Sequence, residues 1–388
     1  MKTIALILII FSMQLSIDVI AQDSLTLQWQ LAGILPPETF GDARAMQEHK
    51  GVAGAVIGWH HNILMVAGGA NFPEAPPWEG GKKKYHNQIY LFEKRGNQFV
   101  SLVTHEKLTI PVAYAASCIT KYGIVSIGGE NESGLLDNAF LFKPATEGKS
   151  VLIKKLPSLP VPTSSASAVA VDDFIFVLGG ETVQGTTADS WKLDLTNLQE
   201  GWKKIQALPI SLSFTYTGVH RMENISTIVV LGGRYKTGSG TSTFSKAVFS
   251  YQTNLDVWIE KAELPYLLSA GTSVSLANEE ILLFGGDRGE TFSQVEQLLV
   301  AIAKTEGNEK EALIQQKNQL QINHPGFSQE ILLYNPVSEK FKTIGTLPYP
   351  TPVTTTAVLL NDCIVLPSGE IRAGVRTQNI LMAAIKYK

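Results

Sequence analysis

The stretch SGEIRAGVR, residues 368–376, sets an acid, Glu370, six positions ahead of an arginine, Arg376. A guanidinium clasps a carboxylate through two parallel hydrogen bonds. A carboxylate held partly out of water nearby serves as a general base. Together the two would grip a small organic acid and take a proton from it. The chain places further ionisable residues just after glycine pairs: Glu130, Glu181, Arg234, Asp287 and Arg288. Its seven histidines are scattered, and no His/Cys set has metal-ligand spacing, so no metal centre is expected. A phosphate cradle, a G-x-S-x-G elbow and a Ser-His-Asp order are also missing from the sequence.

These residues must be held by something repetitive. Gly-Gly recurs at 68–69, 128–129, 179–180, 232–233 and 285–286, and a degenerate copy, Ser368-Gly369, follows. Each closes a short apolar run, such as ILMVAGG, FIFVLGG or CIVLPSG. Such runs read as buried strands. A run of small and apolar residues precedes each one. A polar loop, a third strand (NQIYLF, KAVFSY, EILLYN) and a fourth strand with an aromatic (Phe99, Trp202, Trp258, Phe341) follow, and most units end in Leu-Pro. Four strands per unit at this period describe blades of a kelch-type propeller. The expected fold is all-β, a six-bladed propeller over residues 22–388. The last unit holds three strands of its own. LTLQWQL, residues 25–31 with Trp29, has the look of a fourth strand and is expected to complete it. An insertion at about 288–329 interrupts the fifth unit. Its spacing of Val295, Leu298, Leu299 and Ile302, and its helix formers at 309–320, predict one or two amphipathic helices. A packed flap, a lid and a contact between two copies of the chain all fit it, so a homodimer is one expectation.

The bulk numbers agree with a globular chain. It has 388 residues, 44% hydrophobic and 17% charged, with 33 glycines and a net charge of −3. The longest basic block, Lys82–Lys84, reads as a solvated loop, and nucleic-acid binding has little electrostatic support. Residues 1–21, with Lys2 ahead of a short apolar run, read as a secretory signal peptide rather than a membrane span. The expected location is periplasmic or secreted. Cys118 and Cys363 lie in apolar strands and are expected to be free thiols.

Several of these stretches resemble the N-acetylneuraminate epimerases, the sialic acid mutarotases built on a six-bladed kelch propeller. They are GVAGAVIGWHHNILMVAGGANF, KKYHNQIYLF, AYAASCITKYGIVSIGGENESG and SGEIRAGVRT, with the helical insertion after GGDRGE. The resemblance runs over residues 25–388, in an order that looks circularly permuted, with the SGEIRAGVR blade last rather than mid-chain. It implies interconversion of the anomers of a free sugar acid, without a cofactor. Glu370 matches the family's proton acceptor and Arg376 its substrate-binding arginine, while Ser368 stands where the motif has Asn. Tyr114, Glu130 and Tyr85 match further family positions. Two family arginines are replaced by Val112 and, at about position 213, by Ser213; Arg234 would supply a substitute cation. The second reading is a non-catalytic kelch module that binds glycans or protein partners. A copper-dependent propeller oxidase is a third, and its ligand set is not evident here.

Overall fold

The computed structural model describes residues 25–39, 46–222 and 225–387; the expected signal peptide at 1–21 lies outside them. Six four-stranded antiparallel sheets form a six-bladed β-propeller. Blade 1 comprises Val56–His60, Ile63–Ala67, Ile89–Arg95 and Gln98–Leu102. Blades 2 to 5 begin with Ala116–Thr120, Ser167–Val171, Tyr216–Met222 and Thr272–Ser275. Blade 6 joins Val358–Leu360, Cys363–Pro367 and Asn379–Tyr387 to the strand Leu25–Ile34 from the other end of the chain. That strand pairs from Leu25 opposite Tyr387 to Ile34 opposite Asn379.

The second strand of each blade is apolar on both faces because both faces are covered. All five residues of Ile63–Ala67, Gly123–Ile127 and Cys363–Pro367 are buried. The core lies at the seams: each of six hydrophobic clusters draws on two neighbouring blades. A lone four-stranded sheet would leave one face wet, and the ring removes that cost. Cys118 and Cys363 are both free and buried.

The glycine pairs stand where each blade meets the next. At Gly68, Gly128, Gly179 and Gly232, φ is 61–66°, and a Cβ would lie 2.1–2.5 Å from a carbonyl oxygen of the following blade. Only glycine fits both the left-handed backbone and that approach. Ser368 keeps the conformation (φ 57°) but uses its hydroxyl instead. It accepts the Val52 N–H at 2.8 Å and lies within donating distance of the carbonyls of Val52 (3.0 Å) and Thr377 (2.7 Å). The departure from Gly-Gly is thus a polar link across the seam between blades 6 and 1.

A belt of backbone hydrogen bonds closes the channel's waist. Gly54, Tyr114, Ser165, Phe214, Ala270 and Thr354, one per blade, all have φ of 51–66°. Each donates its N–H to the carbonyl of the one before it in the ring, Gly54 to Thr354, at 2.7–3.0 Å. Left-handed backbone is unfavourable for the five non-glycine members, and the belt is what over-determines it. The belt separates an upper chamber of about 900 Å³ from a lower one of about 470 Å³.

Candidate active site

The upper chamber is built from one repeated position. The residue after each glycine pair, or after Ser368-Gly369, forms an antiparallel bridge with the residue just before the belt. In blades 1 to 6 that position holds Ala70, Glu130, Glu181, Arg234, Asp287 and Glu370. The last five line the chamber. Glu181 is occupied, accepting from Ser213 Oγ at 2.5 Å and from Thr186 Oγ1. Ser213, where the resemblance would place an arginine, therefore orients an acid. Val112 is buried in the seam of blades 1 and 2 and does not reach the chamber.

Glu370 and Arg376 meet because the chain turns back between them. They are opposite one another in a small hairpin, Glu370–Arg372 with Val375–Arg376. Arg376 Nη1 lies 3.4 Å from Glu370 Oε1, with the two side chains only 5% and 17% exposed. Glu370 Oε1 also accepts the Gly374 N–H at 2.6 Å. The Arg376 guanidinium lies 4.8 Å from the Phe72 ring centroid, and its buried Nε and Nη1 donate no hydrogen bond within the protein. A buried donor without an acceptor is costly, and a ligand carboxylate would supply one. Tyr114, on the belt beneath, is half-buried; desolvation of its hydroxyl pushes the pKa up, Arg376 and Lys83 pull it down, and Glu370 adds to the rise.

Glu130, on blade 2, is engaged by its neighbours. Its Oε1 accepts Tyr85 Oη at 2.7 Å and Lys83 Nζ at 3.2 Å. Tyr85 itself does not line the chamber; it stands behind Glu130, and burial together with that bond pushes its pKa up to about 12. Lys83, expected in a solvated loop, lines the chamber instead. Its ammonium lies over the rings of Tyr85 (5.2 Å) and Tyr114 (5.3 Å). Burial opposes the charge, but Tyr114, Glu130 and Tyr85 outweigh it and raise the lysine pKa.

Arg234 is held by aromatic faces. Its guanidinium carbon lies 4.1 Å from the Phe214 centroid and 4.4 Å from that of Phe292. Burial lowers its pKa against the opposing pull of Asp287, Glu181, Glu296 and Glu370. Among the described residues no carboxylate lies within ion-pair distance of it, so its charge faces the chamber.

Phe292 belongs to the insertion, which forms two helices, α1 (Glu290–Ile302) and α2 (Gly307–Ile322). Amphipathic spacing holds for α1; the apolar residues of α2 are not gathered on one face. Three blades tether the pair. Glu296 accepts from the Ser242 N–H and hydroxyl, Asn318 donates to the Trp78 carbonyl, and Arg372 donates to the Ile322 carbonyl. The insertion thus reaches across the chamber and adds Phe292, His324 and Phe327 to its wall. His324 was invisible in the sequence because it lies far along the chain from the loop it completes. Its Nδ1 accepts the Gly326 N–H at 3.0 Å, and burial lowers its pKa.

Among the described residues no group of three or more His, Cys, Asp or Glu is placed to hold a metal ion. No described helix is long and apolar enough to cross a membrane.

A family model described as N-acetylneuraminate epimerase matches residues 156–388. The chain is similar to a curated N-acetylneuraminate epimerase of Salmonella typhi, 24% identical over 237 residues, 59% of this chain and 58% of that protein. It is 22% identical to one from Haemophilus influenzae over 229 residues, 57% of each chain. It is also 26% identical to N-acetylneuraminate epimerase 1 of Escherichia coli O6:H1 over 203 residues, 50% of this chain and 51% of that one. The matches thus span between half and three fifths of the relatives' length.

Proposed function

The chain belongs to the N-acetylneuraminate epimerase family, and we propose that it is a mutarotase that interconverts the α and β anomers of free N-acetylneuraminate. The observation that carries this reading is the Glu370–Arg376 ion pair on the chamber wall, in which the buried Nε and Nη1 of Arg376 donate no hydrogen bond within the protein. In this reading Arg376 grips the sugar carboxylate. Arg234 supplies a second positive charge, and Tyr114 floors the site. Glu130, already bound by Tyr85 and Lys83, shapes the chamber wall on blade 2. Glu370 Oε1 is held by the Gly374 N–H and lies within ion-pair reach of Arg376, which leaves Oε2 to take the proton of the anomeric hydroxyl. The ring then opens to the keto form, rotates and recloses. Anomers exchange unaided in water, so a positioned base worth roughly 10²–10⁴-fold suffices, and no cofactor is required.

The family match begins at residue 156, although blades 1 and 2 belong to the same ring. A circularly permuted blade order would produce such a partial match, because a linear alignment follows only one side of the cut. Residues 1–21, read as a signal peptide, would export the enzyme to where free sialic acid is released.

The test is NMR of N-acetylneuraminate freshly released as the α anomer. Wild type should speed its equilibration, and Glu370→Gln should fold, bind the sugar and lose most of the acceleration. Binding by wild type with no acceleration would favour a non-catalytic glycan-binding module.

A further inference from the structure

Opening the sugar ring moves two protons: one leaves the anomeric hydroxyl and one must reach the ring oxygen. Glu370 accounts for the first. Resting on the mutarotase reading, the geometry points to Asp287 as the second catalytic residue, the acid that protonates the ring oxygen.

Asp287 occupies in blade 5 the position that Glu370 occupies in blade 6. Each follows the glycine of its turn, each is bridged to the residue before the belt (Ser269 and Val353), and each lines the chamber. Adjacent blades thus present two carboxyls to one space. Both are fixed in the same way. Gly289 N–H donates to Asp287 Oδ1 at 2.7 Å, and Gly374 N–H donates to Glu370 Oε1 at 2.6 Å. In each case the second oxygen is left for the ligand.

Their surroundings differ in the sense that an acid and a base require. Glu370 has the Arg376 guanidinium at 3.4 Å. Asp287 has no cation within ion-pair distance among the described residues. Facing it are Arg234 from blade 4, His324 from the end of the insertion and Glu370 from blade 6. Burial raises the Asp287 carboxyl pKa; the Gly289 N–H, Arg234 and His324 pull it down, and Glu370 adds to the rise. Two carboxyls on adjacent blades, one beside a guanidinium and the other, among the described residues, without a cation within ion-pair distance, can divide the roles of base and acid.

The step balances. The anomeric O–H proton passes to Glu370 Oε2, and its electron pair forms the carbonyl. The bond from the anomeric carbon to the ring oxygen breaks, and that oxygen takes the proton of Asp287 Oδ2. Reclosure on the other face of the carbonyl returns the ring hydroxyl proton to Asp287 and the Glu370 proton to the new anomeric hydroxyl. Nothing is oxidised or reduced.

The experiment measures anomer exchange of N-acetylneuraminate by NMR across pH, for the full chain as wild type, Asp287→Asn and Asp287→Ser. After subtraction of the uncatalysed rate, kcat of wild type should fall on the alkaline side as Asp287 loses its proton. Asp287→Asn should keep KM within a few-fold, lose kcat by about 100-fold and lose the alkaline limb. Asp287→Ser gives the same readouts if the Asn variant does not fold. A kcat within about twofold of wild type in either variant overturns the proposal. So does a wild-type rate that never falls as pH rises across the range in which the protein stays folded, a reading that depends on no variant. Exchange that needs Glu370 but not Asp287 sinks this inference alone, whereas a wild type without exchange sinks the mutarotase reading beneath it.

Discussion

The position after the glycine pair is the unit from which the chamber wall is built. It holds four acids and an arginine, and their neighbours differentiate them: a hydroxyl pair for Glu181, a tyrosine and a lysine for Glu130, phenylalanine faces for Arg234, and Arg376 for Glu370. Arg376 carries the sharpest prediction at this scale. Its planar fork, laid beside Phe72, offers two buried donors in fixed directions. Lysine in its place keeps the charge and loses the fork. Arg376→Lys should therefore raise KM for N-acetylneuraminate by about tenfold, some 1.4 kcal/mol, with a smaller change in kcat. Steady-state kinetics decide it; an unchanged KM would mean that the sugar carboxylate is gripped elsewhere.

At the scale of elements, the seam between blades 6 and 1 and the strand that completes blade 6 differ from the rest of the ring. Leu25–Ile34 pairs along Asn379–Tyr387, and Trp29 reaches across to Phe284 of blade 5 in an edge-on contact at 5.8 Å. Leu35, at the end of the same segment, is fully buried in the cluster shared by blades 6 and 1. Removing residues 25–37 would uncover the edge of Asn379–Tyr387 and open two cores at once. The truncated chain should lose its cooperative melting transition or melt far below wild type, although it lacks no residue of the chamber. Calorimetry of the two chains checks this, and equal melting temperatures would rule it out. The insertion is the other irregular element. Its helices contain no fully buried residue, yet its tethers to three blades place Phe292 and His324 over the chamber.

The whole molecule is a closed ring, so its stability is exposed to any weak joint. Blade 1 carries one next to the Ser368 seam. His49 Nδ1 accepts the Gly51 N–H at 2.8 Å, and Asn71 links the Gly51 carbonyl to His86 Nε2. Both rings are buried. Burial, with a contribution from His86, lowers the His49 pKa to about 3; burial, then Lys84, lowers that of His86 to about 4. Above the unfolded value of about 6.5 both rings are neutral in either state and pH has no effect through them. Below it the unfolded chain binds protons that the folded chain refuses, so stability falls until the folded values are reached. Chemical unfolding should show stability dropping between about pH 6.5 and 4, and His86→Gln should flatten part of that slope. A pH-independent midpoint across this window would show that these histidines do not limit the ring.

The period of the glycine pairs, the doubly buried apolar runs and the aromatic fourth strands were legible in the chain, because blade packing imposes them on every unit separately. For the same reason the residues after the turns could be named from the sequence: each turn delivers its next side chain to the channel. What each acid faces was not legible. Whether Glu130 is occupied by Lys83, whether Phe292 flanks Arg234, and whether His324 approaches Asp287 depend on segments far apart in sequence that meet only when the ring has closed. The belt has the same origin. Its six residues, from Gly54 to Thr354, share no side-chain signature, since what joins them is a backbone conformation and hydrogen bonds that exist only between neighbouring blades.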